Sequence, residues 1–456
     1  MLKYPSYLKT QVFISGLLVF VMLAGCKVGP SYKRPETNTS GTYRFSVNTD
    51  TNTIANTEWV ALFRDPALQN LVNLGLQNNY DLKIAYERIN EARASFRAAK
   101  GSLYPQLNVE GNATFYKQVA AGEGHTYTGL AGISWEIDLW GKLRRATEAG
   151  KASLMAAQAY QQSVKINLIS SIITNYFNLL ELDNELKITI DNIRIREESL
   201  ELVKYKLIAG TASGLVVSQA EAELANARTQ VPELEMQIGE MENALSVLIG
   251  SPPKDIGRGN ELLTQITLPE IKSTGIPSQL ITRRPDIIQA EQELRAANAN
   301  VGVARAYMLP SLSLTGSAGY SFDPTSMIYN AVGNLVAPVF GGGKLRANYK
   351  KAVSQKEQML LTYQKAILTS LQETSDAILE TYKLREIVTN QDSLVSASKT
   401  TFELSNQLYN AGYASYMDVL DAQRNLFTAQ IGLSRSQASV LTSFVNLYRS
   451  LGGGWK

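Results

Sequence analysis

Three small groups of residues in this 456-residue sequence could do chemistry. The first is a lone cysteine: Cys26 follows Leu23-Ala24-Gly25 and has no other cysteine in the chain to pair with. Small residues directly before a cysteine are the pattern of a lipobox, where cleavage exposes the thiol for acylation. Lys3 and Lys9 precede an apolar run from Val12 to Leu23, which reads as a secretory signal rather than a spanning helix. Several acyl chains at roughly 0.8 kcal/mol per buried methylene would anchor the product firmly. The alternative is an ordinary signal peptide followed by an incidental buried thiol. The second group is Asp418 and Asp421, three residues apart at the start of a helical run, so both can face one side. They either concentrate negative charge that attracts cations or complement the positive end of the helix dipole. The third group is a pair of glycine turns, Ala209-Gly210-Thr211 and Ala411-Gly412-Tyr413, each a helix C-cap or an exposed contact.

Other chemistries are excluded by what the chain lacks. A single histidine, His125, and a single cysteine rule out zinc clusters, Cys–His catalysis and disulfides within the chain. There is no phosphate-cradling glycine loop between a strand and a helix. The charge balance is +3 and the basic residues are spread along helices, so nucleic acid is not a partner. No metal, no cofactor and no enzymatic reaction is expected.

The elements that must position these groups are long helices. Lys344 to Ala411 contains neither Pro nor Gly, and Val353, Leu360, Ile367, Leu371 and Ile378 recur at helical steps, with Ala352, Met359 and Ala366 beside them. One unbroken helix here would be roughly 100 Å long. It turns at Tyr409-Asn410-Ala411-Gly412, and a second helical run from Met417 to Leu451 makes an αα-hairpin. The same object occurs earlier: Gly141-Lys142-Leu143-Arg144 matches Gly343-Lys344-Leu345-Arg346, and Ala209-Gly210 matches Ala411-Gly412. At that offset Val216 and Gln219 stand where Asp418 and Asp421 do, so the helix start does not itself require acids. The chain is two copies of one large unit.

Between helices the period changes to two. Leu107, Val109, Ala113 and Phe115 alternate with polar residues, as do Tyr127, Ala131, Ile133, Trp135, Ile137 and Leu139, then Leu312, Leu314, Ala318, Tyr320 and Phe322. The fourth segment, from Ile328, is less regular and carries Pro338. Such strands suit a transmembrane barrel or a soluble sandwich; aromatics near their ends, among them Tyr116, Trp135, Trp140 and Phe340, favour the barrel. Four strands cannot close a barrel, which needs about eight, so a membrane barrel here requires several copies. The expected organisation is a signal peptide (1–25), an extended N-terminal segment (26–57), and a first repeat (58–250) with strands at 106–116 and 126–139. An irregular linker (251–284) and a second repeat (285–456) with strands at 311–322 and 328–340 follow. Pro232 predicts a kink or break near Val231.

These features together resemble the TolC family of outer-membrane channels, in its lipoprotein branch (the OprM and NodT group). The resemblance runs through Cys26-Lys27-Val28-Gly29-Pro30, Phe63-Arg64-Asp65-Pro66-Ala67-Leu68, Asn79-Tyr80-Asp81-Leu82 and Asp138-Leu139-Trp140-Gly141-Lys142. It continues through Arg283-Arg284-Pro285-Asp286 and Tyr409-Asn410-Ala411-Gly412 with Asp418-Val419-Leu420-Asp421-Ala422. It implies an α+β membrane protein, a homotrimer with four strands per chain in a shared 12-stranded transmembrane β-barrel, continued by a long periplasmic α-helical barrel. The molecule would be lipid-anchored through Cys26 and barrel-embedded in the outer membrane, reaching into the periplasm. It would pass small molecules, drugs included, as the exit duct of a tripartite efflux system. Its partners would be outer-membrane lipid, a periplasmic adaptor and an inner-membrane transporter, taken as proton-driven. The resemblance assigns the adaptor contact to Ala209, Gly210, Thr211, Ala411, Gly412 and Tyr413. The periplasmic gate falls to Asp418 and Asp421, packed by Tyr409 and Met417. Ala414 stands where some relatives carry an Arg that ties neighbouring helices. Exit ducts for type I protein secretion share this fold, and a non-conducting tether or adhesin is the reading that needs no lumen.

Overall fold

Asp65 and Pro66 decide where the first substantial helix begins. The Asp65 carboxylate accepts the Ala67 amide at 2.8 Å and Pro66 takes the first helical position, where its missing N–H would be unpaired anyway. Helix α1 therefore spans Pro66–Asn78, and Trp59–Leu62 is only a separate turn ahead of it. The amphipathic run from Trp59 to Leu74 is thus broken in two. The computed structural model describes residues 27–36, 41–45, 53–118, 122–259, 266, 273–322 and 325–453. The signal segment and Cys26 lie outside the described residues.

Helix α2 (Tyr80–Gly101) leads into strands β1 (Gln106–Gln118) and β2 (Gly122–Ile137). The long α3 (Lys142–Ile208) and α4 (Gly214–Leu248) follow. The second half runs α5 (Pro285–Ala306), β3 (Ser311–Phe322), β4 (Thr325–Val336), α6 (Lys344–Asn410) and α7 (Tyr416–Ser450). Corresponding helices have identical lengths: 22 residues for α2 and α5, 67 for α3 and α6, 35 for α4 and α7. Two expectations need correction. The second and fourth strands start and end earlier than 126–139 and 328–340; Pro338, with no N–H for a ladder, accounts for the early end of the fourth. Pro232 lies inside α4 without ending it; it is exposed, so solvent can meet the carbonyl it leaves unpaired.

The chain forms two compact units. One comprises Met1–Thr37, Tyr86–Tyr160 and Asp286–Ala366; the other comprises Asn38–Ala85, Gln161–Pro285 and Ile367–Lys456.

The first unit holds an antiparallel sheet in the order β1-β2-β3-β4, so β1 and β4 are edges within the chain. Its register sorts the side chains. Val109, Ala131, Ala318 and Tyr329 stand in one row across the four strands, and Asn108, Gly132, Ser317 and Asn330 stand in the next. Because side chains alternate along a strand, one face is apolar on every strand and the other mainly polar. The polar face is interrupted chiefly by Leu130 on β2 and by Ile328, Val332 and Val336 on β4. The apolar face is open: Leu107 is 74% exposed, Val109 83% and Tyr329 78%. Asp138, after β2, caps α3 by accepting the Leu143 amide at 3.1 Å and the Arg144 amide at 2.9 Å.

Residues 27–36 are extended but not a loose tether. The Val28 amide donates to Trp140 O at 3.0 Å, and the buried Arg145 donates to the carbonyls of Val28 and Gly29. Gly29 has φ +100°, and a Cβ there would lie 2.5 Å from Gly302 Cα, so no side chain fits. Arg34 grips Glu291 with bonds of 3.0 and 2.6 Å, joined by Tyr32 at 3.2 Å and Arg295 at 3.1 Å. Burial alone would raise the Glu291 carboxyl, but these partners, Arg34 foremost, bring it below the usual range. Arg34→Ala should cost about 2 kcal/mol through lost bonds to a buried charge. Limited proteolysis should then cut within 27–36, where the wild-type chain resists.

The second unit is organised around Phe63, Phe177 and Phe444, with ring centroids 5.9 and 6.1 Å apart, over the buried Leu68, Val72, Ile172 and Leu179. The irregular connection is pinned to it. Tyr176 donates to Asp65 at 2.5 Å and accepts the Gly259 amide at 2.9 Å, while Arg258 binds Asp183 at 2.8 Å and also Glu242.

Candidate functional site: the hairpin tips and the acid pair

Both tips are built by the same backbone device. At the first, Gly210 (φ +73°) donates to Leu207 O at 3.0 Å and Thr211 to Lys206 O at 2.8 Å. At the second, Gly412 (φ +80°) donates to Tyr409 O at 3.1 Å and Tyr413 to Leu408 O at 2.8 Å. This is the Schellman pattern, which needs a left-handed residue at the helix end. Ala209, Gly210, Thr211, Ala411, Gly412 and Tyr413 are all exposed, and a Cβ added at either glycine would meet nothing within 4 Å. The glycines therefore cap their helices and also leave open space at the tip.

Asp418 closes a capping box at the start of α7. Its carboxylate accepts the Ser415 amide at 2.8 Å, and the Ser415 hydroxyl accepts the Asp418 amide. Those Ser415 bonds hold its carboxyl below the usual range. Asp421 is exposed and pairs with Arg424 at 3.2 Å. Between them, Val419 and Leu420 turn inward and join Leu200, Val203, Ala220, Leu224 and Tyr416 in a buried cluster. The two acids thus share the exposed side of α7. Tyr409 packs against that cluster and lies 5.4 Å from the Tyr416 ring; burial raises its phenol. Met417 is 41% exposed.

Four charged residues that the sequence reading passed over tie this region together. Lys206 stands 3.9 Å from the Tyr409 ring centroid, a cation–π distance. Glu223 on α4 accepts from Arg196 on α3 at 2.7 Å and from Arg424 on α7. The Arg424 bond is the main cause of a lowered Glu223 carboxyl, against burial and with help from the Arg196 charge. One carboxylate thus joins three helices. The Arg196–Glu223 half was accessible: Arg196 lies fourteen residues before Gly210 and Glu223 thirteen after it, and nearly equal distances from a hairpin turn place residues opposite each other. Nothing in the sequence brings Arg424 to the same carboxylate.

A family model described as outer membrane efflux protein matches residues 71–251 and 276–453. The chain belongs to the outer membrane efflux protein family. Among its relatives is the toluene efflux pump outer membrane protein TtgC of Pseudomonas putida, 33% identical over 98% of this chain and 96% of that protein. Another is the cation efflux system protein CusC of Escherichia coli, 30% identical over 96% and 98%. The solved outer-membrane channel OprN superposes with a TM-score of 0.87 at 27% identity, covering 94% of this chain and all of that one. The MtrE channel of Neisseria gonorrhoeae, solved in an open state, gives 0.87 at 26% identity over 94% and 99%. Among the described residues no helix is long and apolar enough to cross a membrane.

Proposed function

We propose that this efflux protein is the exit duct of a tripartite system, assembled from three copies. The observation that carries the reading is the sheet: an apolar face left uncovered, a mainly polar face behind it, and two edge strands unpaired within the chain. Twelve residues of strand span about 40 Å. Tilted by about 40°, they rise about 30 Å, the thickness of a hydrocarbon core. Open edges are not tolerated in lipid, so β4 of one copy pairs with β1 of the next. Three copies close a barrel of twelve strands, lipid outside and water within. The hairpins α3/α4 and α6/α7 of the three copies continue it as a helical tunnel in the periplasm.

The paired helix lengths support the reading of an internal duplication. Lipid on Cys26 would be attached one residue before Lys27, which pairs with Glu148 at 2.5 Å. Mass spectrometry of the mature N-terminal peptide should show acylation; an unmodified thiol in membrane-extracted protein contradicts it. The exposed tips meet a periplasmic adaptor, which connects the duct to a proton-driven inner-membrane transporter. The relatives' names point to solvents and cations as cargo classes. Deleting the gene should sensitise cells to toxic small molecules or metal cations. An unchanged sensitivity with loss of an exported protein would instead assign the duct to type I secretion.

In the trimer, Asp418 and Asp421 place six carboxylates around one axis, an electrostatic filter at the periplasmic entrance. Replacing both with Asn keeps a side-chain oxygen for the cap and removes the charge. Planar-bilayer recordings of that double variant should show reduced cation selectivity and altered conductance with assembly intact. Recordings that match wild type would leave Asp418 only its cap in the first turn of α7 and Asp421 only its pairing with Arg424.

A further inference from the structure

Two carboxylates stand one helical turn apart on α3 where a single cation meets them. Glu185, its side chain 4% exposed, takes Arg435 of α7 as a two-bond partner at 2.5 and 3.1 Å. Glu181, 14% exposed, keeps its Oε1 3.9 Å from the same Arg435 Nε, beyond hydrogen-bond reach. Among the described residues that buried oxygen has no hydrogen-bond partner. The charges acting on Glu181 are Glu185 on its own helix and Arg435 on α7. One guanidinium compensates one carboxylate, and a second ionised carboxylate in the same desolvated place would have no counter-charge.

We infer that Glu181 and Glu185 form a one-proton pair that makes the contact between α3 and α7 sensitive to alkaline pH. Burial first, then the neighbouring Glu185 carboxylate, push Glu181 up to about 8, against the opposing charge of Arg435. The contact around the pair is polar and incompletely satisfied. Beside the pair Asn184 donates to Ser434 at 2.8 Å, and farther along the two helices Thr189 Oγ1, Asn192 Oδ1, Arg196 Nε and Gln423 Nε2 are buried without partners among the described residues. A contact so constituted is one that an added charge can loosen. Because α3 belongs to the first hairpin and α7 to the second, losing the proton weakens the hold of one hairpin on the other. The device is separate from the acid pair at the start of α7 and does not depend on the role of those acids.

The direction of the effect follows from linkage. Glu181 binds its proton more tightly in the folded chain than in the unfolded one. Its contribution is fully present below the ordinary carboxylate range and is lost as the pH rises through about 8. Within that window the folding equilibrium shifts about tenfold per pH unit and protomer.

The test uses the full-length chain extracted from membranes, titrated from about pH 6 to about pH 10. Infrared spectroscopy reads the carbonyl band of protonated carboxylic acids, and hydrogen exchange reads α7 at matched pH. Wild type should show a protonated-acid band with a midpoint near pH 8, absent from Glu181→Gln. Exchange in α7 should be equal in the two proteins near pH 6 and roughly a hundredfold faster in wild type above pH 9, two pH units of linkage having been lost between pH 6 and the midpoint. In Glu185→Gln, Arg435 is released to Glu181 and the midpoint should fall into the ordinary carboxylate range; this second variant decides the matter if the first folds poorly. The inference is overturned by a band that survives Glu181→Gln, by a wild-type midpoint in the ordinary range, or by equal exchange at both extremes.

Discussion

Ala318→Arg should prevent the protein from assembling in the outer membrane, while Ser317→Arg, one residue away, should assemble normally. The two side chains point to opposite faces of β3. Ala318 stands in the row with Val109, Ala131 and Tyr329, and Ser317 in the row with Asn108, Gly132 and Asn330. A guanidinium on the lipid face near the bilayer midplane costs about 2–4 kcal/mol, and the trimer would carry three. On the face proposed to line the lumen the same group would meet water. Heat-resistant oligomers on gels, with outer-membrane fractionation, read the first outcome; a shift towards anion selectivity in bilayers reads the second. Equal tolerance of both variants would mean that neither face meets lipid.

Glu223→Gln should carry the next largest effect, because it strands charge. Arg196 is only 7% exposed in its side chain and has Glu223 as its ion-pair partner. Removing one member of such a buried pair costs about 3 kcal/mol. The loss should appear as a lower Tm and, since α7 is released from α3 and α4, as a larger open fraction in bilayer recordings. Acid should imitate the substitution. The Glu223 carboxyl is lowered in the folded chain, so its stabilisation is present above the ordinary carboxylate range and is lost as the pH falls through its folded value. The variant should therefore lack part of the acid sensitivity of the wild-type chain. A Tm difference between the two proteins that stays constant down to low pH would contradict this.

The fold was legible where sequence period and geometry coincide. Alternation in β1 to β3 marked the apolar face residue by residue, because a pleated strand has a period of two. β4 was blurred because Ile328, Val332 and Val336 occupy the otherwise polar face. The absence of Pro and Gly marked α6, and the glycines marked both turns. What the sequence did not disclose depends on partners distant along the chain. The grip of Arg34 on Glu291 joins residues 257 apart, and no local pattern announces it. Reading the N-terminal segment only as extended therefore missed its buried anchors, Arg145 and Glu291. At the tips, residue types alone left capping and contact equally open. The structure adds that the glycines cap and that the six tip residues are exposed, both at once. Asp418 was legible as a helix-start acid and as part of an exposed acid pair, and its bonds to Ser415 show that the cap uses its carboxylate.

In the proposed trimer this chain encloses a water-filled passage through the outer membrane. Single-channel recording of purified protein in a planar bilayer tests it most directly, with wild type beside the Asp418→Asn, Asp421→Asn double variant. Discrete, uniform conductance steps are expected, with changed amplitude and reduced cation preference in the variant. Membrane-inserted trimers of both proteins that pass no current would contradict it.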